Sequence, residues 1–412
     1  MPQVSRRDVL TPGAGRKFRA FIRYQTGTSI EELRLLPIQP REVVIRTQAS
    51  GVCYTIVGQS LSSRNAPRPS IPNHSGFGVV EEIGPQVERV RLGDRVIIPG
   101  TPQCGVCYEC LQGRSDWCQF LATNPARPMA VMSDGTPVFE GGALGGLSEL
   151  MVVSEEYCCP VFTDLPGEEL TMLGDTVGTG LAAGMNLARV EPGSDVVVLG
   201  AGPVGLGAIQ SARIMGAAQI IAVEPIKVRR ELALKLGATL VLDPNVEGQG
   251  LVEKIRELCK GKTDRRFAGG RAWGNDLFAV PRGPDFTIEA VGGDSFPPKM
   301  EAGPDPTGVL PLQQAWEFTR GGGHIVTLGF GQKGDVSFPA MMFANRGRTV
   351  HSGQQGGLNM LRDLPRYVTL VEKGLIDLKS IVTDSYPLDR TREAIQAVAD
   401  RTTIGAVITF KG

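Results

Sequence analysis

The stretch DVVVLGAGPVG at residues 195–205 decides the fold class of this 412-residue chain. Its first half is a short apolar run of strand length, and the glycines that follow it predict a tight turn. A helical pattern continues over Leu206–Met215, and a second strand is predicted at Gln219–Val223. Strand, helix and strand in this order are typical of an α/β protein with a parallel sheet.

The glycine turn has the spacing of a dinucleotide-binding motif, and its βαβ context makes that motif specific. Gly200 allows the tight turn, Gly202 lets the backbone approach a pyrophosphate, and Gly205 allows the helix to pack closely on the strand. Pro203 and Val204 open the predicted helix, whose N-terminus would bind the pyrophosphate. A glycine turn without a ligand is the alternative.

An acidic residue, Glu224, follows the second strand about twenty residues after the turn. Its carboxylate can accept hydrogen bonds from the ribose hydroxyls of adenosine, and its charge would repel a 2′-phosphate. We therefore expect NAD rather than NADP. Arg229, in the predicted helix Val228–Leu236, could still assist a phosphate and is also a candidate cofactor-binding residue.

Four cysteines lie close together in the run CGVCYECLQGRSDWC. Thiolates at this spacing can converge on one centre, and four of them form a closed tetrahedral zinc site that stabilises a loop. The proposed ligands of this structural zinc are Cys104, Cys107, Cys110 and Cys118. A disulfide cluster, or four unrelated buried cysteines, is the alternative.

A second zinc site is predicted from residues that lie far apart in the sequence. Cys53 stands in a turn-rich segment, and His74, one of three histidines, sits beside glycine turns just before a predicted strand. A lone histidine is usually structural. Because an upstream cysteine and the four-cysteine segment accompany it, His74 is predicted to be a metal ligand.

Charge and composition exclude several classes of function. Lys+Arg and Asp+Glu are equal at 43 each, so no electrostatic argument favours nucleic acid or an anionic membrane as a partner. No apolar stretch is long enough to span a bilayer. The start at Ser5–Leu10 is similar to a twin-arginine export signal but lacks an apolar core, so we expect a cytoplasmic protein.

Short β-type runs separated by Gly and Pro dominate the first half of the chain. Examples are residues 42–47, 78–83 and 94–98, and together they predict a compact antiparallel barrel. Lys260–Pro284 and Asp294–Gly308 interrupt the later βα rhythm and are interpreted as inserted loops.

Taken together, these features resemble the zinc-dependent medium-chain alcohol dehydrogenases over nearly the whole chain. The resemblance implies a GroES-like antiparallel β-barrel catalytic domain at 1–176, with the zinc lobe at 101–120. It also implies a Rossmann, doubly wound NAD-binding domain at 177–330 and a return to the catalytic domain at 331–412.

The resemblance also implies a set of site residues. Cys53 and His74 match the first two catalytic zinc ligands, and Asp175 stands where many members have a cysteine. An aspartate ligand is also found in the family's glutathione-independent formaldehyde dehydrogenases and dismutases. In those enzymes an inserted loop, similar to the one predicted here at Asp294–Gly308, helps to cover a tightly held NAD. A zinc-free relative in which Asp175 is only a turn residue is the alternative.

Three further residues have family roles. Thr55 matches the hydroxyl that takes the proton of the alcohol, although a local turn cap is the alternative for it. Thr179 and Val204 match the residues that pack against the nicotinamide ring. The implied cofactors are NAD and two zinc ions per chain.

The chain departs from the family at five positions near these sites. Gly58 replaces a histidine that passes the proton to solvent in some members, and Ile56 and Ser75 replace acidic residues that orient the metal ligands. Tyr54 and Gly405 replace arginines on the pyrophosphate. These changes affect the expected zinc affinity and cofactor exchange rather than the fold.

Two positions indicate the substrate. Gly100, and the small residues at 141–143, replace bulky side chains of the ethanol-using relatives, which predicts a wider cavity. We therefore expect a bulky or aromatic alcohol, with its aldehyde or ketone, as the small-molecule substrate. The resemblance implies a homodimer or homotetramer.

Two other functions remain open. One is a nicotinoprotein aldehyde dismutase that keeps its NAD bound. The other is a non-catalytic, NAD-binding redox sensor that zinc stabilises. The loss of acidic residues near the metal favours this alternative.

Overall fold

The computed structural model describes residues 15–25, 27–61, 68–123, 127–140, 144–260, 282–293, 299, 307–331 and 333–411. The chain divides into two units, the first made of Met1–Gly178 and Leu358–Gly412 and the second of Thr179–Gly357. Most of the two predicted insertions, and the small residues at 141–143, lie outside the described residues.

The first unit contains a small closed barrel. Its strands follow one another around the barrel in the order β1, β2, β7, β8, β4. They are β1 (Lys17–Tyr24), β2 (Gly27–Leu35), β4 (Ser70–Ile71), β7 (Pro128–Val131) and β8 (Pro137–Glu140). All neighbours pair antiparallel except β4 and β8, which pair parallel.

A seven-stranded sheet forms the rest of the β-structure of the first unit. Its strands are β3 (Glu42–Gly51), β5 (Gly76–Ile83), β6 (Arg95–Ile98), β9 (Leu150–Ser154), β10 (Cys159–Pro160), β17 (Val382–Pro387) and β18 (Gly405–Thr409). The three runs named in the sequence analysis fall in β3, β5 and β6, so they belong to this sheet and not to the closed barrel. The last strand, β18, pairs antiparallel with β3 and so returns the chain to the first unit.

Apolar side chains on alternate positions of these strands form the core of the first unit. Val43 and Ile45 of β3 pack with Val80 of β5, Val96 of β6 and Met151 of β9, and all five are fully buried or nearly so. The helices of this unit are α1 (Val57–Leu61), α2 (Tyr108–Leu111), α3 (Phe120–Thr123), α4 (Gly167–Leu173), α5 (Thr176–Ala182, which crosses into the second unit), α12 (Met360–Glu372) and α13 (Thr391–Ala399).

The second unit is built on one parallel sheet of six strands. The strands are β11 (Asp195–Leu199), β12 (Gln219–Val223), β13 (Leu240–Leu242), β14 (Phe286–Glu289), β15 (His324–Thr327) and β16 (Thr349–His351). Their order across the sheet is β13, β12, β11, β14, β15, β16. The chain therefore moves outward in one direction from β11 and in the other from β14, which is the doubly wound arrangement of dinucleotide-binding folds.

Helices follow most strands of this sheet. They are α6 (Pro203–Ile214), α7 (Lys227–Leu236), α8 (Pro244–Glu247), α9 (Leu251–Leu258), α10 (Val309–Phe318) and α11 (Ala340–Asn345). Val197, Ile221 and Ile325 of the sheet pack against Trp316 and Phe318 of α10 in the core of this unit. The predicted GroES-like and Rossmann fold class is confirmed, and β11 and β12 begin and end where the sequence predicts.

The second unit extends beyond residue 330, where the sequence analysis ended it, and returns to the first unit only at Leu358. Two features explain the difference. β16 adds a sixth parallel strand to the sheet, and Gly356 then packs on the backbone at Thr179, where a Cβ atom would lie 2.2 Å from the carbonyl oxygen. Neither feature has a strong local sequence signal.

In the part of the chain that the structure describes, no helix is both long enough and apolar enough to cross a membrane.

Candidate metal centres and cofactor site

Three separate segments of the first unit carry the predicted catalytic metal ligands. Cys53 follows the end of β3 and precedes a short 3-10 turn that contains Thr55. His74 lies in the connection between β4 and β5, and Asp175 lies between α4 and α5. The structure brings these residues together, because the loops at the ends of these elements converge on one point.

The potential ligand atoms of Cys53, His74 and Asp175 all lie within 4.8 Å of one another. Nε2 of His74 is 3.2 Å from Oδ2 of Asp175 and 3.4 Å from Oγ1 of Thr55. Cys53 is buried, while the side chains of His74 and Asp175 are 22% and 13% exposed. Three donors on one side and partial exposure on the other suit a metal site with an open coordination position.

The electrostatics of this cluster also fit a cation. Burial disfavours a charged His74, but the carboxylate of Asp175 and the thiol of Cys53 outweigh it and raise the histidine pKa well above its usual range. The pocket therefore stabilises positive charge at Nε2. One sulfur, one nitrogen and one oxygen donor are a set that zinc accepts, so a zinc ion fits these residues.

Asn73 holds the backbone of the His74 loop and was missed by the sequence analysis. It is fully buried and has a φ of 84°, in the left-handed region. Its Nδ2 donates to Oγ of Ser50 at 2.7 Å and to the carbonyl of Gly51 at 2.8 Å. Its Oδ1 accepts from the backbone N–H of His74 at 2.9 Å. Asparagine tolerates this backbone conformation better than most residues, and its presence beside His74 was the only indication of it in the sequence.

The four-cysteine lobe lies in the first unit and begins after β6. The four Sγ atoms lie within 4.8 Å of one another, with Cys104 4.0 Å from Cys110 and Cys107 4.0 Å from Cys118. Tetrahedral thiolates around zinc are separated by about 3.8 Å, given a Zn–S bond of about 2.3 Å. All four thiols are free, so the disulfide alternative is not formed.

Backbone N–H groups favour the thiolate form of one cysteine of the lobe, Cys107. Burial opposes ionisation of Cys107, but N–H donors from Cys110 and Gln119 favour the thiolate and lower its pKa to about 6. Burial raises the pKa of Cys110 and of Cys118. A metal ion would allow all four sulfurs to ionise, because coordination stabilises the thiolate form.

The glycine turn of the second unit has the shape that the motif predicts. Gly200 has a φ of 85°. A Cβ atom on Gly205 would lie 1.9 Å from the carbonyl oxygen of Gly200, so the helix can approach the strand only with glycine there. Pro203 is the first residue of α6, and Val204 follows it in the first helical turn. The α6 N-terminus therefore faces the carboxyl end of the sheet, where an anion can bind.

Glu224 lies at the carboxyl end of β12, as predicted, but it is buried and its carboxylate faces the backbone. Oε2 accepts from the N–H of Ala201 at 2.7 Å, and Oε1 accepts from the N–H of Ile226 at 2.9 Å. Glu224 therefore supports the glycine turn itself. Any contact with a ribose uses the remaining lone pairs of the same two oxygens.

Two arginines on α7 lie near this turn. A guanidinium nitrogen of Arg229 lies 3.8 Å from the position that a Cβ atom on Gly202 would take, and no other atom approaches that position within 4 Å in the described residues. Arg230 donates to the carbonyl oxygens of Glu224 and Pro225, both at 2.7 Å, and pairs with Asp243. Arg229 thus borders the open space above the turn, while Arg230 fixes the end of β12.

Thr179 is the first residue of the second unit and is buried. It lies in α5, four residues after Asp175. Its proposed packing against the nicotinamide ring stays a prediction.

Two family models match the chain in the expected places. The alcohol dehydrogenase GroES-like domain matches residues 39–166, and the zinc-binding dehydrogenase domain matches residues 203–302. A curated relative, S-(hydroxymethyl)glutathione dehydrogenase of Escherichia coli O1:K1 / APEC, is 29% identical over 405 residues, which cover 96% of this chain and all of the relative.

Two solved structures of dehydrogenases are also similar to this chain. An alcohol dehydrogenase zinc-binding domain protein from Burkholderia ambifaria has a TM-score of 0.81 and 25% identity. Benzyl alcohol dehydrogenase from Acinetobacter calcoaceticus has a TM-score of 0.78 and 25% identity. In both comparisons 96% of this chain and all of the other chain are covered.

The chain therefore belongs to the zinc-dependent medium-chain alcohol dehydrogenase family. It is an oxidoreductase acting on CH–OH groups, and its family uses small-molecule alcohols and aldehydes as substrates. Membership of this family also indicates that the chain uses zinc and a nicotinamide cofactor. These relatives argue against the non-catalytic redox sensor.

We expect Asn73→Ala to destabilise the first unit by about 2–4 kcal/mol, because it combines a strained backbone with the loss of buried hydrogen bonds. Asn73→Gly loses the same hydrogen bonds but relieves the backbone, and we expect it to be more stable than the alanine variant by about 1 kcal/mol. Urea unfolding followed by circular dichroism measures both. Equal losses in the two variants would contradict the role given to the backbone conformation.

Proposed function

We propose that this protein is an NAD- and zinc-dependent alcohol dehydrogenase that interconverts a bulky or aromatic alcohol and its aldehyde or ketone. The observation that carries the proposal is the convergence of Cys53, His74 and Asp175 beside the hydroxyl of Thr55. The proposal assigns about two zinc ions to each chain, one on these three ligands and one on the four-cysteine lobe.

The chemistry of the open site follows from its donors. A zinc ion bound there supplies Lewis acidity, which lowers the pKa of an alcohol hydroxyl. Cys53, His74 and Asp175 would hold the metal ion. Because His74 and Asp175 are partly exposed, one side of the ion would stay open to substrate. Thr55 is proposed to take up the hydroxyl proton of the alcohol as it gives its own proton to solvent, because its Oγ1 lies 3.4 Å from Nε2 of His74, beside the point where the three donors converge. A bound nicotinamide cofactor would then receive the hydride of the carbinol carbon.

NAD is the proposed cofactor. Glu224 puts a carboxylate at the carboxyl end of β12, where a 2′-phosphate would meet a like charge. Arg229 beside Gly202 is proposed to contact the cofactor backbone and so to replace part of the charge lost at Tyr54 and Gly405.

The substrate assignment depends on size. Gly100 follows β6 and offers no side chain to narrow a pocket. One solved relative is named for benzyl alcohol and the curated relative for S-(hydroxymethyl)glutathione, and both compounds are larger than ethanol. We also propose a cytoplasmic homodimer or homotetramer, on the family resemblance.

A second candidate function is an aldehyde dismutase that retains its NAD, and Asp175 as the third ligand favours it. Absorbance of cofactor that stays with the protein through gel filtration would support this candidate. A protein that elutes free of cofactor, and that needs added NAD for turnover, would support the exchanging dehydrogenase.

For the substrate we expect kcat/KM to rise from ethanol through butanol to benzyl alcohol. Each buried methylene contributes about 0.8 kcal/mol, so benzyl alcohol should exceed ethanol by at least about tenfold in a pocket that it fills. Steady-state kinetics with saturating NAD measure the series. A maximum at ethanol would contradict the wide pocket.

For the metal we expect about two zinc ions per chain in the protein as isolated, and about one in Cys53→Ala, since the lobe is complete without Cys53. Elemental mass spectrometry measures the zinc content, and activity should be lost with the second ion. Cys259→Ala is the matched control, because Cys259 is a buried cysteine outside both clusters, where its thiol donates to Oε1 of Gln219. One zinc ion in both the wild type and Cys53→Ala would overturn the catalytic site.

For the proton relay we expect Thr55→Ala to lower kcat by about 10²–10⁴-fold, the usual contribution of a side chain that takes part in proton transfer. Cofactor affinity should change little, because Thr55 belongs to the first unit and the glycine turn to the second. Thr55→Ser keeps the hydroxyl and should keep most of the activity. A comparable loss of rate and of NADH affinity in the alanine variant would mean that Thr55 has another role.

A further inference from the structure

A second fully buried carboxylate lies at the carboxyl end of the parallel sheet. Glu289 is the last residue of β14 and has no exposed surface. Its Oε1 accepts from the backbone N–H of Val291 at 2.8 Å and of Gly292 at 3.1 Å. Its Oε2 accepts from the hydroxyl of Thr327 at 3.0 Å and from the N–H of Gly329 at 3.2 Å.

These four donors come from two different loops. Val291 and Gly292 follow β14, whereas Thr327 ends β15 and Gly329 follows it. The loops also bond to each other, since the N–H of Gly293 donates to the carbonyl of Phe330 at 3.0 Å. One carboxylate therefore fixes the turns after two neighbouring strands.

These turns lie beside the crevice in which a parallel sheet of this kind binds its ligand. β14 is the neighbour of β11, and the strand order reverses between them, which is where an open parallel sheet binds its ligand. The glycine turn after β11 borders this crevice on one side. The turn after β14, which Glu289 holds, borders the crevice on the other side. A Cβ atom on Gly200 would lie only 3.1 Å from the carbonyl oxygen of Ala290 in that turn.

The direction of the dinucleotide follows from the same arrangement. With Glu224 as the proposed ribose contact, the adenosine half of the dinucleotide would lie on the β12 side of the glycine turn, and the other half would extend over the ends of β14 and β15. The loops that meet it there are the two that Glu289 holds.

We propose that Glu289 is a positioning residue for the nicotinamide half of the cofactor, because it fixes the turns after β14 and β15 in the shape that binds it. This inference rests on the proposed function, since it needs a nicotinamide dinucleotide in the crevice. Glu289 acts through these turns, because its oxygens accept hydrogen bonds from their N–H groups and from the hydroxyl of Thr327.

The same strand provides a matched control. Asp285 immediately precedes β14, at its amino end, and is also buried. Its Oδ2 accepts from the N–H of Asp195 at 2.8 Å, and its Oδ1 accepts from Nε of Arg320 at 2.7 Å. Asp285 therefore braces two neighbouring strands as Glu289 does, but at the end of the sheet far from the crevice.

The test compares Glu289→Gln with Asp285→Asn in the full-length protein. Each change keeps the side-chain size and turns one accepting oxygen into an NH₂ group that meets an N–H donor. NADH affinity is measured by fluorescence titration, and stability by the midpoint of thermal unfolding. We expect both variants to lose stability, but only Glu289→Gln to weaken NADH binding, by about tenfold, which is within the usual effect of one unsatisfied buried group.

Several results would overturn the inference. One is NADH binding by Glu289→Gln within about twofold of the wild type, and another is equal weakening in both variants. If Glu289→Gln does not fold, Thr327→Val replaces it, because it removes one donor and leaves the carboxylate. That variant should weaken NADH binding by about two- to fivefold, and unchanged binding would contradict the proposal. A wild-type protein that does not bind NADH would instead defeat the proposed function, so the two failures are distinguishable.

Discussion

Backbone N–H groups in the turns at strand ends must find hydrogen-bond partners when they are removed from water, and this constraint shapes every functional segment of the molecule. Some of these groups bond to a neighbouring strand, as the N–H of Gly200 does to the carbonyl of Val223, and others bond to side chains. In the first unit Asn73 supplies the partners, and in the second unit Glu224 and Glu289 do so. Each of the three side chains is buried, and each lies at the end of a strand or in the connection that follows it.

The energetic reason is an asymmetry in hydrogen bonding. A buried hydrogen bond that is made contributes only about 1 kcal/mol to stability, but a buried group left without a partner costs about 1–3 kcal/mol. A turn held by two or more such bonds therefore has few alternative conformations of similar energy. That rigidity is what a ligand cluster or a pyrophosphate site needs, because small displacements of positioned groups have large costs in function.

Features with local causes could be predicted from the sequence. β11 and β12 follow from short apolar runs, the glycine turn follows from its spacing, and the four-cysteine lobe is contained in residues 104–118. The third member of the open cluster, Asp175, could not be found this way. Nothing near Asp175 in the sequence points to a metal, and only the resemblance to a family brought it into the set.

The remaining differences arise from tertiary contacts. Glu224 was expected to bond to a ribose, and in the structure its oxygens also accept hydrogen bonds from the backbone N–H groups of Ala201 and Ile226, which no local sequence pattern indicates. The role of Asn73 depends on a positive φ, which asparagine tolerates but does not require, so the residue type alone does not predict it. The extension of the second unit to Gly357 depends on β16, a three-residue strand that is recognisable only because β15 lies beside it.

The two metal clusters differ in how they depend on the fold. The lobe draws four sulfurs from one short segment, so its ligands are close together before the rest of the chain has folded. The open cluster draws one donor each from the ends of β3, the β4–β5 connection and the α4–α5 junction, so it exists only in the folded first unit. Its donors nevertheless match the charge of a zinc site. With zinc bound, one thiolate and one carboxylate with a neutral imidazole would neutralise a divalent cation as two thiolates would, and the oxygen donor would make the metal a harder Lewis acid. Asp175 would therefore change the character of the site without changing its charge.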